Sequence, residues 1–227
     1  MTKIEWTQKT WNVTTGCSPT SEGCVNCYAR RMTKRLQSMG LKKYKKGFQI
    51  SEHHDELKKP FLWRRPSLVF VNSMSDLFHP LVSADFIYNT FRVMLANDTH
   101  EFQILTKRSI RMSNFIDDWP KNIWAGVTVE NDRRKYRIKD LKKTNAKVKF
   151  ISFEPLLSEI KRLNLTGISW VIVGGETGPS ARPMDLDWAR KIRDECARKK
   201  IPFFFKQIGG PGKKCRLLDG QEWNEMP

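Results

Sequence analysis

Seven short apolar runs punctuate the chain, each ending in polar or glycine residues: 10–15 (TWNVTT), 68–72 (LVFVN), 102–106 (FQILT), 123–129 (IWAGVTV), 148–153 (VKFISF), 170–173 (WVIV) and 202–206 (PFFFK). They are rich in β-branched and aromatic residues and mostly continuous rather than alternating, which predicts strands covered on both faces, as in a parallel sheet. Between several of them the spacing becomes helical. Ala29, Met32, Leu36 and Met39 recur at intervals of three and four residues up to Gly40, a C′ stop. Phe86, Ile87, Phe91, Met94 and Leu95 follow Ser83, an N-cap, and Trp188, Ala189, Ile192 and Cys196 mark one face of a helix between Asp185 and Lys200.

Repeated β-then-α units without a break predict one α/β domain over residues 1–227, either an incomplete parallel (β/α) barrel or an open doubly wound sheet. The polar residues separate the two. Each predicted strand delivers reactive side chains just past its carboxyl end: Asn72, Ser73 and Asp76; Thr106, Lys107 and Arg108; Thr128, Glu130 and Asn131; Ser152 and Glu154; Gly174, Gly175 and Glu176; Lys206 and Gln207. A barrel assembles its site at that face from many strands, whereas an open sheet concentrates its ligand at one switch point. The expectation is therefore a barrel of six to seven strands. Residues 42–65 fit the alternation least well and are read as a basic excursion over this face, and 209–227 as a Gly- and Lys-rich tail outside the main sheet.

Composition narrows the class further. The 227 residues carry 41 Lys and Arg against 24 Asp and Glu, a net charge of +17, which favours a polyanionic partner and makes nucleic acid the expected one. Lys42 to Lys46, with Tyr44 and Phe48 interleaved, resembles a strip that binds a phosphate backbone and stacks bases. No apolar run is long enough to span a bilayer, and MTKIEWTQKTWN lacks the apolar stretch of a secretory signal, so a cytoplasmic protein is expected. Five cysteines, grouped three, one and one, argue for metal or redox chemistry rather than a disulfide framework.

The group of three lies in GCSPTSEGCVNCYARR, where Cys17 closes a predicted strand and Cys24 and Cys27 stand at the entrance to a helix. A structural zinc usually takes four protein ligands, so a histidine would have to join the thiols; none of His53, His54, His79 and His100 is close in sequence. A cubane iron–sulfur cluster needs only three thiolates, leaving its fourth iron open. Ordinary buried thiols, or a Cys24–Cys27 redox pair, are the further alternatives. Cys196 on a helix face reads as core, and Cys215 in the tail as a candidate hydrogen-atom donor.

Several stretches, among them IEWTQKTWNVTTGCSPTSEGCVNCYARR, FVNSMSDLFHP, FQILTKRSIRM, WAGVTVENDRR, FISFEPLL, WVIVGGETGPSARPM, PFFFKQIGG and RLLDGQEWNEMP, resemble in order a phage- and prophage-encoded family with a three-cysteine motif that is described as radical-SAM-like. The resemblance implies an incomplete parallel barrel of the radical-SAM type, with Cys17, Cys24 and Cys27 as ligands of a [4Fe-4S] cluster, and it implies S-adenosylmethionine (SAM) and a partner protein. The chain departs from the usual C-x(3)-C-x(2)-C spacing, having six residues in the first gap. Where radical SAM proteins place a Gly-Gly-Glu-like segment after the second strand, it has Asn72-Ser-Met-Ser-Asp76; its own Gly174-Gly175-Glu176 follows the sixth strand.

From these residues the expected roles are Asp76 and Glu154 in catalysis, and Ser73, Asp76, Glu130, Gly174, Gly175 and Glu176 in cofactor binding. Lys107, Arg108, Arg182 and Lys206 are expected to meet substrate phosphates. The expected function is an iron–sulfur, radical-SAM-like enzyme that modifies or repairs nucleic acid or a nucleotide-derived substrate. The rivals are a non-catalytic nucleic-acid-binding module with a structural zinc or cluster, and a cluster-bearing flavin or nucleotide enzyme that does not use SAM.

Overall fold

A computed structural model describes residues 4–211 and 215–227. Strand β1 (Lys9–Trp11) ends early, because β2 (Thr14–Thr15) turns away to pair with β3 (Ser51–Glu52) in a separate antiparallel ribbon. The single apolar run 10–15 is thus split. Polar side chains make the break: Asn12 Oδ1 accepts from Met74 N and Ser73 Oγ, and Thr14 N donates to Asn72 Oδ1.

Helix α1 (Tyr28–Ser38) follows, then strand β4 (Leu68–Val71), α2 (Ala84–Leu95), β5 (Glu101–Thr106) and α3 (Ser109–Ser113). The chain continues through β6 (Ile123–Thr128), α4 (Tyr136–Lys143), β7 (Lys149–Phe153), β8 (Trp170–Gly174), α5 (Leu186–Lys199) and β9 (Phe203–Gln207). The predicted caps are present. Ser83 Oγ accepts from Phe86 N at the start of α2, Asp185 caps α5, and Gly40, at φ +73°, closes α1 while Leu41 N donates back to Leu36 O.

Seven strands form one parallel sheet in the order β1-β4-β5-β6-β7-β8-β9. The order advances along the chain without reversal, so there is no topological switch point, and β1 and β9 remain unpaired with each other. This is an incomplete (β/α) barrel. The apolar runs resolve into two interleaved faces. Val69, Ile104, Val127, Ile151, Val171 and Phe205 join the helices in the outer core, while Phe70, Trp124, Phe150, Trp170, Ile172 and Phe204 pack inward. Trp6, from the segment before β1, fills the inner bottom of the barrel with its ring 4.6 Å from Phe70 and 6.0 Å from Trp170, both edge-on.

Residues 42–65 contain three 3-10 turns and run from the mouth, where Phe48 sits, to the outer side of β1, where Trp63 packs edge-on to Trp11. In the tail, β10 (Leu217–Leu218) and β11 (Gln221–Glu222) form their own ribbon. Residues 223–225 then return to β9, with Phe205 N donating to Trp223 O and Glu225 N to Phe203 O. No helix among the described residues is long and apolar enough to cross a membrane.

Candidate functional site

The carboxyl ends of the sheet strands open into a cavity of about 510 Å³. Its floor is apolar, with Trp6, Phe70 and Leu105; its walls carry Asn72, Ser73, Asp76, Thr106, Lys107, Arg108, Thr128, Ser152, Glu154, Gly175, Glu176, Lys206 and Gln207. Cys17, Cys24 and Cys27 line the same cavity, so the long loop before α1 brings all three thiols to the mouth. None is in a disulfide. Cys196 is fully buried in the core and Cys215 is exposed.

The loop is held at three places. At its start, Arg108 Nη1 lies 3.5 Å from Cys17 Sγ and 3.1 Å from Asp76 Oδ2, and Nη2 donates to Ser18 O at 2.9 Å. Asp76 is itself fully used: Thr106 Oγ1, Phe78 N and Lys107 N also donate to its two oxygens. Ser18 Oγ stands 2.7 Å from His79 Nε2. Because His79 Nδ1 accepts from Leu81 N, the ring proton is assigned to Nε2, which donates to Ser18.

In the middle of the loop, Ser21 Oγ donates to Glu130 Oε1 at 2.5 Å, and Glu130 Oε2 takes Arg137 Nη1 at 2.7 Å. Both charged side chains are essentially without exposure. Gly23 permits this contact, since a Cβ there would fall 2.5 Å from Glu130 Cγ. At the far end, Asn26, between the second and third cysteines, donates to Glu176 Oε2 at 2.9 Å. Arg182 grips the same carboxylate through Nε and Nη2 and reaches Glu22 O at 3.0 Å. Bidentate pairing of this kind fixes geometry as well as charge.

These contacts divide the predicted residues. Asp76, Arg108, Glu130, Glu176 and Arg182 anchor the cysteine loop, and Glu130, Gly174 and Arg182 do not contribute to the cavity wall. Gly175 is small because a Cβ would fall 1.9 Å from Ile208 O, so it serves backbone packing although it also lines the wall. Ser73 Oγ is tied to Asn12, and Ser73 O receives the Tyr28 hydroxyl. The open charges are Glu154, Lys206 and Lys107, each about a fifth to a quarter exposed. Lys206 Nζ and Gln207 Nε2 both donate to Glu154 Oε1, at 2.7 and 2.9 Å. Of the two rings in the basic strip, Tyr44 is buried beneath α1 rather than available for stacking, while Phe48 is at the cavity.

The loop's electrostatics are uneven. Burial and the Asp76 carboxylate push the Cys17 thiol up to about 11 despite the Arg108 guanidinium. At Cys24 burial again raises the pKa, but the Lys107 ammonium and hydrogen bonds from Thr20 and Ser21 outweigh it and the thiol lies below its ordinary value. Among the described residues no three of the His, Cys, Asp and Glu side chains are grouped closely enough to hold one metal ion. Three thiols lining one cavity are the donor number a cubane cluster takes, each thiolate on a different iron.

Fold and site together define an incomplete parallel (β/α) barrel that carries a pinned three-thiol loop across its carboxyl-terminal mouth. The chain belongs to the family described as "Protein of unknown function (DUF5131)", whose model matches residues 1–227. No curated protein matches it. Among solved structures, spore photoproduct lyase complexed with dinucleoside spore photoproduct is similar with a TM-score of 0.46 and 12% identity, over 82% of this chain and 60% of that one. A mutant of that lyase with bound AdoMet and dinucleoside spore photoproduct gives a TM-score of 0.44 and 10% identity, over 83% and 61%. The chain thus spans about 60% of the length of these structures.

Proposed function

We propose that the protein is an iron–sulfur enzyme of the radical-SAM type, acting on nucleic acid or a nucleotide-derived substrate, with Cys17, Cys24 and Cys27 holding a [4Fe-4S] cluster. The observation that carries this is the joint placement of three thiols on a loop pinned at three points, facing a cavity with an apolar floor and polar walls. When bound, the cluster and SAM supply one-electron chemistry capable of abstracting a hydrogen atom from an unactivated carbon.

The chain's own residues do the rest. Asp76, Glu130 and Glu176 act as positioning residues: each is buried, paired with an arginine and connected to the loop. Glu154 is the carboxylate available to ligand, because both of its hydrogen bonds among the described residues fall on Oε1 and leave Oε2 to accept an N–H or O–H. Lys107 and Lys206 offer ammonium groups to phosphate or carboxylate at the same mouth. Trp6, Phe70 and Leu105 give the inner end of the cavity an apolar surface, against which the polar contacts above it are strengthened.

A zinc-bearing binding module is the second reading; it would hold one ion at donors about 2.0–2.3 Å away and carry no acid-labile sulfide, so metal and sulfide analysis separates it from the cluster. The test is to purify the protein without oxygen, reduce it, add SAM and quantify 5′-deoxyadenosine. The proposal expects SAM cleavage that depends on all three cysteines. An intact cluster that leaves SAM uncleaved would shift the assignment to a cluster enzyme without SAM.

A further inference from the structure

From residue 23 to residue 51 the chain contains no Asp or Glu and eight Lys or Arg: Arg30, Arg31, Lys34, Arg35, Lys42, Lys43, Lys45 and Lys46. That is almost half of the net +17 in one segment. The fold gathers these cations on one face. Helix α1 packs on the 3-10 turn Lys42–Tyr44, with Gln37 Nε2 donating to Lys45 O at 3.2 Å and Tyr44 clustered with Ala29 and Met74 beneath. All of the eight except Lys43 are exposed, and among the described residues only Lys43 has a carboxylate partner, Glu56. Like charges gathered on one exposed face repel one another and attract an anionic partner.

The face also ends at the site. Tyr28 and Met32 of α1, both exposed, line the cavity, and Phe48 lines it beneath the Arg30 guanidinium, 5.6 Å from the ring centroid. We infer that the face made by α1 and residues 42–46 is a nucleic-acid interface whose cations track a phosphate backbone, and that the strand passing over it presents one nucleotide, unstacked, past Tyr28 and Met32 into the cavity. This rests on the nucleic-acid part of the proposed function and adds where and how the strand is held. An enzyme that reacts with a base must take it out of the stack, and cations beside a mouth edged with Tyr28, Met32 and Phe48 suit that task. Among the described residues the side chains of Lys34, Arg35, Lys42, Lys45 and Lys46 make no hydrogen bond or ion pair, so four of them, Lys34, Arg35, Lys42 and Lys46, can be changed without breaking the fold.

The experiment measures fluorescence anisotropy of fluorescein-labelled oligonucleotides of about 20 residues, as single-stranded DNA, duplex DNA and RNA, with protein purified without oxygen, across about 50–200 mM salt. The quadruple variant Lys34→Gln, Arg35→Gln, Lys42→Gln and Lys46→Gln is compared with Lys121→Gln, Lys139→Gln, Lys147→Gln and Lys199→Gln. The latter set removes the same charge away from the mouth, with Lys121 and Lys147 just before β6 and β7 and Lys199 at the end of α5. The inference expects at least tenfold weaker binding for the first variant and a salt slope smaller by about 3, with little change for the second. Equal loss in both variants, no loss in the first, or tighter binding to anionic phosphatidylglycerol vesicles than to any oligonucleotide would overturn it. Because binding is read without turnover, failure of SAM cleavage leaves this result standing, and failure here leaves the cofactor assignment untouched.

Discussion

The floor and the rim of the same half-barrel are built on opposite terms. At the floor, Trp6, Phe70, Trp124, Phe150, Trp170 and Phe204 meet edge to face or tilted, and the stabilisation comes from apolar area and ring geometry. At the rim, buried carboxylates are each paired with an arginine and connected to one loop. Buried ion pairs contribute little net stability once desolvation is counted, yet breaking one is costly. The rim therefore defines position and the floor supplies stability, and the two should respond differently to mutation.

The largest difference is expected in metal content. Cys17→Ala, Cys24→Ala and Cys27→Ala should each remove nearly all iron and acid-labile sulfide, while Cys196→Ala and Cys215→Ala retain both, as colorimetric assay will read. Truncating the floor should do the reverse: Trp170→Ala is expected to cost about 3–5 kcal/mol in denaturant unfolding, with the iron content of the folded fraction unchanged. Asp76→Asn removes the charge that holds Arg108 against Cys17, and should cost about 3 kcal/mol together with partial loss of iron, a combination no floor variant shows. Glu154→Gln, open to the cavity, should leave stability and iron within error and lower SAM turnover at least tenfold.

The smallest effect is a pH dependence of the loop. A backbone hydrogen bond and the Arg134 guanidinium hold the Glu22 carboxyl at about 2, below its ordinary range. A carboxylate depressed in the folded state contributes stability that is complete above its unfolded pKa of about 4.3 and fades as pH falls toward the folded value. Hydrogen exchange in the cysteine loop should accordingly be flat in opening equilibrium from about pH 7 to 8, rise slightly below about pH 6.5 as His79, held neutral by burial and the Arg108 charge, gains a proton, and show the Glu22 loss between about pH 4 and 2. A loop whose opening equilibrium does not change between about pH 4 and 2 would show that the Glu22 carboxylate does not help to hold it.

The floor was legible in the sequence because apolar runs bounded by polar residues have few other solutions, and all seven runs correspond to strands of the sheet. What the runs concealed was the turn at Asn12, since a side chain accepting from residues 73 and 74 leaves no trace in local pattern. The rim was legible as a list and not as roles. Asp76, Glu130 and Glu176 stand just past strand ends as Glu154 does, and only their distant partners, Arg108, Arg137 and Arg182, distinguish an anchor from a residue facing the cavity. Arg137, Asn26 and Ser21 carry no local signal, and His79 reads in the sequence only as a distant zinc ligand, because the importance of all four lies in contacts made across the fold. Tyr44 was misleading for a related reason: in a run of lysines it reads as exposed, yet α1 folds over it.

The central claim is that three thiols on one pinned loop hold a cluster rather than a single ion. Iron, acid-labile sulfide and zinc should be quantified together on protein purified without oxygen. About four irons and four sulfides per chain, with zinc absent, is the predicted result. One zinc per chain with no sulfide would contradict it.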